Sequence, residues 1–177
     1  MSKGIAVTIG LNEVDPIHYQ GWKGELVACE YDAEDMSTIC RNRGFEVTTL
    51  LTRKATADGV LHAFQSAAKK LQAGDTFYVH YSGHGGQLPD LNGDEEDKRD
   101  ETWCLYDREV VDDELHKAWE PFRDGVRILV TSDSCHSGTV LRTAAYNRLR
   151  ALGAIAAHDT SATAMLEAPR SRAMPPA

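Results

Sequence analysis

Apolar side chains recur along this chain in two rhythms, and the switches between them predict its elements. Lys3 to Ile9 builds into a β-branched run and predicts a first strand, followed by a turn-rich loop over Gly10 to Pro16. A helical period runs from about Leu26 to Arg43, with Leu26, Cys29, Ala33, Met36 and Cys40 near one face and Gly44 as its stop. Phe45 to Leu51 predicts a second strand. Thr56 caps a second predicted helix, whose apolar side is Val60, Leu61, Phe64, Ala67, Ala68 and Leu71 and whose end is Gly74. Asp75 to Ser82 reads as a third strand running straight into Gly83-His84-Gly85-Gly86. Asp90 to Glu101 reads as a long acidic loop, Trp103 to Tyr106 as a short extra strand, and Asp112-Asp113-Glu114-Leu115 opens a short helix ending near Pro121. Arg127 to Val130 is a fourth strand, which stops at Thr131-Ser132-Asp133-Ser134-Cys135-His136-Ser137-Gly138.

Strand and helix alternate throughout, which implies right-handed crossovers and a mostly parallel sheet with helices on both faces. The class is α/β. After about Leu141 the pattern degrades: Ala144 to Ala157 is rich in helix formers, and Ser161 to Ala177 is small, polar and Pro-containing. The expected organisation is therefore one domain over 1–141 and a linker over 142–177.

Composition narrows the function. A 177-residue chain suffices for one domain with a real core. With 27 acidic against 19 basic side chains, the formal charge of −8 argues against non-specific nucleic-acid binding and suits cationic substrates. No window approaches a membrane-spanning apolar run, and the first residues lack the long apolar region of a signal peptide. The 4 cysteines show neither paired spacing nor a disulfide framework, so reduced thiols in a cytoplasmic setting are expected.

The candidate chemistry sits at strand ends, the edge where open parallel sheets place their sites. His84 and Cys135 each lie just past a predicted parallel strand, about 50 residues apart, the separation of one cysteine-protease pattern. A nearby imidazole can generate the thiolate and later protonate the leaving amine. The backbone amides of Gly85 and Cys135 are candidate oxyanion donors. Against this stands the plain alternative of a buried structural cysteine and a structural histidine. His80 and His84 share HxxxH spacing, but Tyr81 stands where a zinc-protease helix needs glutamate, so His80 reads as a packed strand residue. His136 adjoins Cys135, and neighbouring side chains in turning backbone diverge. Trp22, Trp103 and Trp119 read as core or loop anchors. A cysteine phosphatase would want arginine six positions past the thiol, where Leu141 stands.

Tyr81-Ser82-Gly83-His84-Gly85 and Asp133-Ser134-Cys135-His136-Ser137-Gly138 resemble the two signature blocks of metacaspases, caspase-like cysteine peptidases. Cys29-Glu30-Tyr31-Asp32 resembles that family's first helix, and the acidic Gly93-to-Thr102 loop followed by Asp112-Asp113-Glu114-Leu115 is a fourth match. Together they span roughly residues 3 to 141 in the expected order. The resemblance implies a caspase-like three-layer sandwich, with His84 as general base and Cys135 as nucleophile. It further implies a substrate pocket lined by Asp32 and Asp133 with Cys29 and Ser82 nearby. Two carboxylates in a partly desolvated pocket favour guanidinium or ammonium, so cleavage after Arg or Lys is expected in protein or peptide substrates.

No third side chain is assigned to the His84–Cys135 dyad. The family often uses calcium, for which the matching positions are Asp100, Asp112 and Asp113. Arg142 stands where calcium-binding members tend to carry aspartate and would repel the ion, and the loop from Asp90 has Glu95 where an EF-hand needs glycine. No cofactor is expected for the chemistry itself. The family fold continues for two more strands in a small subunit, so a second chain or a continuation is expected as partner, and the alternative function is a non-catalytic caspase-like scaffold or a large-subunit fragment inactive until so completed. Arg142, Arg148, Arg150, Arg170 and Arg172 are candidate self-cleavage sites.

Overall fold

The structure is a computed structural model, and it describes residues 2–89 and 99–134, without the side chains of residues 89, 99 and 100. The predicted linker over 142–177 and its arginines lie outside the described residues. Among the described residues, seven strands and three α-helices follow in the order β1 (Gly4–Gly10), α1 (Cys29–Asn42), β2 (Glu46–Leu51), α2 (Ala57–Lys70), β3 (Thr76–Ser82), β4 (Gly85–Pro89), β5 (Arg99–Cys104), β6 (Glu109–Val111), α3 (Asp112–Trp119) and β7 (Arg127–Asp133). A four-stranded parallel sheet has the order β2-β1-β3-β7, and a three-stranded antiparallel sheet has the order β4-β5-β6.

The alternation of side chains along each strand makes two different faces of the parallel sheet. Ile5, Val7 and Ile9 of β1 and Phe77, Val79 and Tyr81 of β3 point into the main core with Val60, Phe64 and Leu71 of α2 and Leu115 of α3. Phe64 stacks on Trp119 at 4.9 Å and meets Phe77 edge-on at 5.5 Å. The opposite face lies under α1, whose Cys40 and Met36 pack with Ala6, Tyr78 and Val47 in a much smaller cluster. Helices therefore cover both faces, and the three layers expected of an α/β caspase-like sandwich are present.

Two boundaries differ from the sequence pattern for identifiable reasons. The first helix begins at Cys29 rather than Leu26, whose amide donates to the Asn12 carbonyl at 2.7 Å in the preceding loop. No side chain caps it locally; Asn12 Oδ1 instead reaches across to accept the Glu30 amide at 3.3 Å. α2 is capped as expected, with Thr56 Oγ1 accepting the Gly59 amide at 3.2 Å. The second difference is the antiparallel sheet. Gly85 and Gly86, which the sequence pattern assigns to no element, belong to a strand, and the acidic segment ends in β5, which begins at Arg99.

That small sheet matters because it docks at the carboxyl end of the large one. Trp103 is fully buried and stacks on Tyr81 at 4.5 Å with the rings nearly parallel, and its Nε1–H donates to Ser132 Oγ at 3.2 Å. β7 is the edge of the parallel sheet among the described residues. Its Ile128 and Val130 are only partly buried and Leu129 is 57% exposed.

Candidate active site at the carboxyl end of the parallel sheet

β3 and β7 run in register, with Ser82 opposite Asp133, so both strands end on one rung. His84 follows two residues past that rung. Its backbone is pinned from below: the His84 carbonyl accepts the Tyr81 hydroxyl at 2.7 Å and the Cys104 amide at 3.0 Å. Its ring is pinned from the side. Nε2 lies 3.0 Å from the Gly24 carbonyl, and Trp22, itself 48% exposed, tilts over the imidazole at 4.7 Å between ring centres.

A carbonyl can only accept, so this contact puts the proton on Nε2 and leaves the Nδ1 lone pair as the basic site. The acceptor is a backbone atom, which sequence reasoning missed because a carbonyl has no residue type. Its one trace is Gly24 itself: φ is +54°, and a Cβ there would lie 2.9 Å from His84 Cδ2 and 2.8 Å from the Trp22 ring. Only glycine holds that carbonyl against the imidazole without a clash.

The bond from the Cys104 amide to the His84 carbonyl also fixes the neighbouring amide. Hydrogen-bonded and non-hydrogen-bonded pairs alternate in an antiparallel ladder, so the next pair, Gly85 with Trp103, is of the non-bonded kind. The Gly85 N–H therefore faces away from β5, on the outer edge of β4, where an oxyanion could reach it.

On the α1 side of the same rung the predicted pocket residues come together. Ser82 Oγ donates to Asp32 Oδ2 at 2.9 Å. Cys29, one turn earlier on α1, is buried and hydrogen-bonded to Ser82. Burial pushes its thiol up, and the negative charges of Asp32 and Asp133 add to that rise against the opposing Ser82 bond. Asp133, at the exposed end of β7, is thus close enough to act on the same groups. α1 can come this close because a Cβ on Gly10, at the end of β1, would sit 2.2 Å from the Cys29 carbonyl oxygen. Cys135, His136 and Arg142 lie outside the described residues.

Of the three residues matched to calcium, the side chains of Asp112 and Asp113 are described. Asp112 and Asp113 open α3, and Asp112 Oδ1 accepts the Asp113 amide at 2.9 Å. Among the described residues no three His, Cys, Asp or Glu side chains gather to hold a metal. The side chain of Asp100, the third position matched to calcium, lies outside the described residues, as does the acidic segment over 90–98. No step below runs through the ion.

With this geometry in place, comparison with known proteins is informative. The family described as metacaspase, peptidase C14 domain matches residues 6–144. This chain belongs to the metacaspase family. The metacaspase domain is 41% identical over 151 residues to metacaspase-1A of Aspergillus clavatus, covering 77% of this chain and 34% of that protein. It is 40% identical to metacaspase-1 of Emericella nidulans over the same length, covering 36% of it. The chain thus spans about a third of the curated relatives it matches. A crystal structure of a protein from Geobacter sulfurreducens superposes with a TM-score of 0.72 at 59% identity, covering 82% of this chain and 55% of that one. The match to the family runs from within β1 past the end of β7, so it covers both strand ends that form the site. No helix among the described residues is long and apolar enough to cross a membrane.

Proposed function

We propose that this metacaspase-family chain carries the catalytic machinery of a cysteine endopeptidase that cleaves after Arg or Lys. The observation that carries this reading is the shared rung at Ser82 and Asp133. It leaves His84 and Cys135 each two residues past the end of adjacent parallel strands, with Asp32 bonded to Ser82 beside them.

In the mechanism, His84 Nδ1 takes the Cys135 thiol proton while Nε2–H stays bonded to the Gly24 carbonyl, which steadies the imidazolium. The thiolate adds to the substrate carbonyl, and the oxyanion is held by the outward amide of Gly85 and that of Cys135. Collapse breaks the C–N bond, the amine leaves with the proton from His84, and a thioester remains. His84 then deprotonates a water that attacks the thioester, releasing the carboxylic acid and the thiol. A guanidinium or ammonium on the residue before the cleaved bond is held by Asp32 and Asp133, where a carboxylate would be repelled.

A second reading is favoured by β7. Its exposed Leu129 and half-buried Ile128 and Val130 form a sheet edge of the kind that accepts another strand. We propose that a small-subunit chain or a continuation pairs there, and that the site is inert until it does. Calcium is not needed for the bond chemistry. Buried thiols at Cys29 and Cys40 suit a reducing, cytoplasmic compartment, and the acidic balance suits neither nucleic acid nor an anionic membrane surface.

Hydrolysis of Arg- and Asp-terminated fluorogenic peptides by wild type and Cys135→Ala tests these points together. Cleavage of the Arg peptide that vanishes in the alanine variant is expected, and preference for the Asp peptide would overturn the pocket assignment. Activity that appears only when small-subunit strands are added establishes the completion reading. Loss of activity in a calcium chelator, restored by calcium, would overturn the metal-free reading.

A further inference from the structure

The sheet face under α1 holds a buried histidine that the mechanism leaves unused. His80 lies on β3 two residues before Ser82, so the two share a face, and the strand register sets it between Thr8 of β1 and Thr131 of β7. It is 8% exposed. Nδ1 lies 3.1 Å from Thr131 Oγ1, which is 2.7 Å from the Tyr78 hydroxyl, so this edge of the ring is satisfied. Nε2 is buried with no hydrogen-bond partner among the described residues. Buried ring nitrogens are nearly always paired, and one left open directly beneath a polar pocket points to a use.

Among the described residues, the groups around it are few. β1 presents Thr8, β3 presents Tyr78 and Ser82, β7 presents Thr131 and Asp133, and α1 presents Cys29, Asp32, Ala33 and Ser37. Burial holds Tyr78 and Cys29 in their protonated, neutral forms. The charges that reach His80 are therefore those of Asp32 and Asp133, the same two carboxylates assigned above to the substrate cation.

We propose that His80 floors the acidic pocket and sets its charge. As a neutral imidazole it leaves Asp32 and Asp133 to a basic substrate side chain; as an imidazolium it supplies the cation itself and competes with the substrate. This rests on the basic-residue pocket proposed above. Burial keeps His80 below the ordinary histidine value, so the pocket is open to substrate near pH 7 and closes on the acid side. Reciprocity requires the converse: a bound guanidinium makes His80 harder to protonate.

The test uses the full chain and N-acetyl-arginine amide as probe, with its Kd measured by calorimetry between pH 5 and 7 in wild type and His80→Gln. The His80 ring resonances are followed by NMR with and without the probe. In wild type the Kd is expected to weaken about tenfold toward pH 5, the equivalent of one pKa unit of coupling, while the glutamine variant stays nearly flat. The midpoint of His80 is expected to fall when the probe saturates. Equal pH dependence in both proteins, or an unmoved midpoint, overturns the proposal. Should His80→Gln not fold, the wild-type midpoint decides alone. If the probe fails to bind even at pH 7, and Asp32→Asn changes nothing, the basic pocket itself is wrong and this inference falls with it. Binding that Asp32→Asn abolishes, yet that ignores pH, sinks the role of His80 while leaving the pocket standing.

Discussion

From one face of β3, Phe77, Val79 and Tyr81 run into a core with Phe64, Leu115 and Trp119. From the other face of the same strand, Tyr78, His80 and Ser82 meet α1 and β7 through hydroxyls, a ring nitrogen and the neighbouring Cys29 thiol. The large cluster supplies most of the buried apolar area, and with it most of the driving force for folding. The face under α1 supplies little of either and holds the polar groups that a site needs. A strand buried on both sides can thus assign stability to its odd residues and chemistry to its even ones.

The sharpest way to break this comparison is at the strand's exit. His84→Ala is expected to lower kcat by about 10²–10⁴-fold, the typical weight of a general acid–base group, with little change in the urea midpoint. A comparable loss of stability would mean that the ring is part of the core. On the opposite face, Phe64→Ala is expected to cost about 3–5 kcal/mol in equilibrium unfolding, because Phe64 fills the space between Phe77 and Trp119.

Ser82→Ala removes the donor to Asp32 and is expected to cost about 1.5–3 kcal/mol, the range for a hydrogen bond to a charged acceptor, while raising KM for Arg peptides. An unchanged KM would separate Ser82 from the pocket. The smallest effect is a pH slope. His80 titrates below its unfolded value, so as pH falls the unfolded chain takes the proton first and stability declines through that interval. Above it both states are neutral and the contribution vanishes. Unfolding of wild type and His80→Gln should therefore diverge only on the acid side.

Much of this was legible in the chain because two periodicities and a few punctuating residues carried it. β1, β3 and β7 read as strands from their β-branched and aromatic runs, and Thr56 marked the start of α2 by its own side chain. The gathering of Cys29, Asp32, Ser82 and Asp133 followed from the family's motifs rather than from any local pattern, since three elements contribute to it. What could not be read depended on partners distant in sequence. β4 hides behind glycines that carry no strand pattern of their own, and it is a strand only because β5 pairs with it. The Leu26 amide bonds to Asn12 across a loop, and α1 starts only at Cys29. The carbonyl that orients His84 comes from Gly24, sixty residues upstream, and no side chain announces it.

Gly10 governs a dimension rather than a conformation. Because its missing side chain lets the Cys29 carbonyl settle onto β1, it sets the spacing between helix and sheet, and Asp32 rides on that helix. A single methyl group at this point would act as a shim. It would lift the first turn of α1, stretch the Ser82–Asp32 contact, and widen the pocket without touching any residue that lines it. Tolerance for lysine against arginine, two cations of different reach, would then be tuned from beneath the helix rather than from inside the cleft.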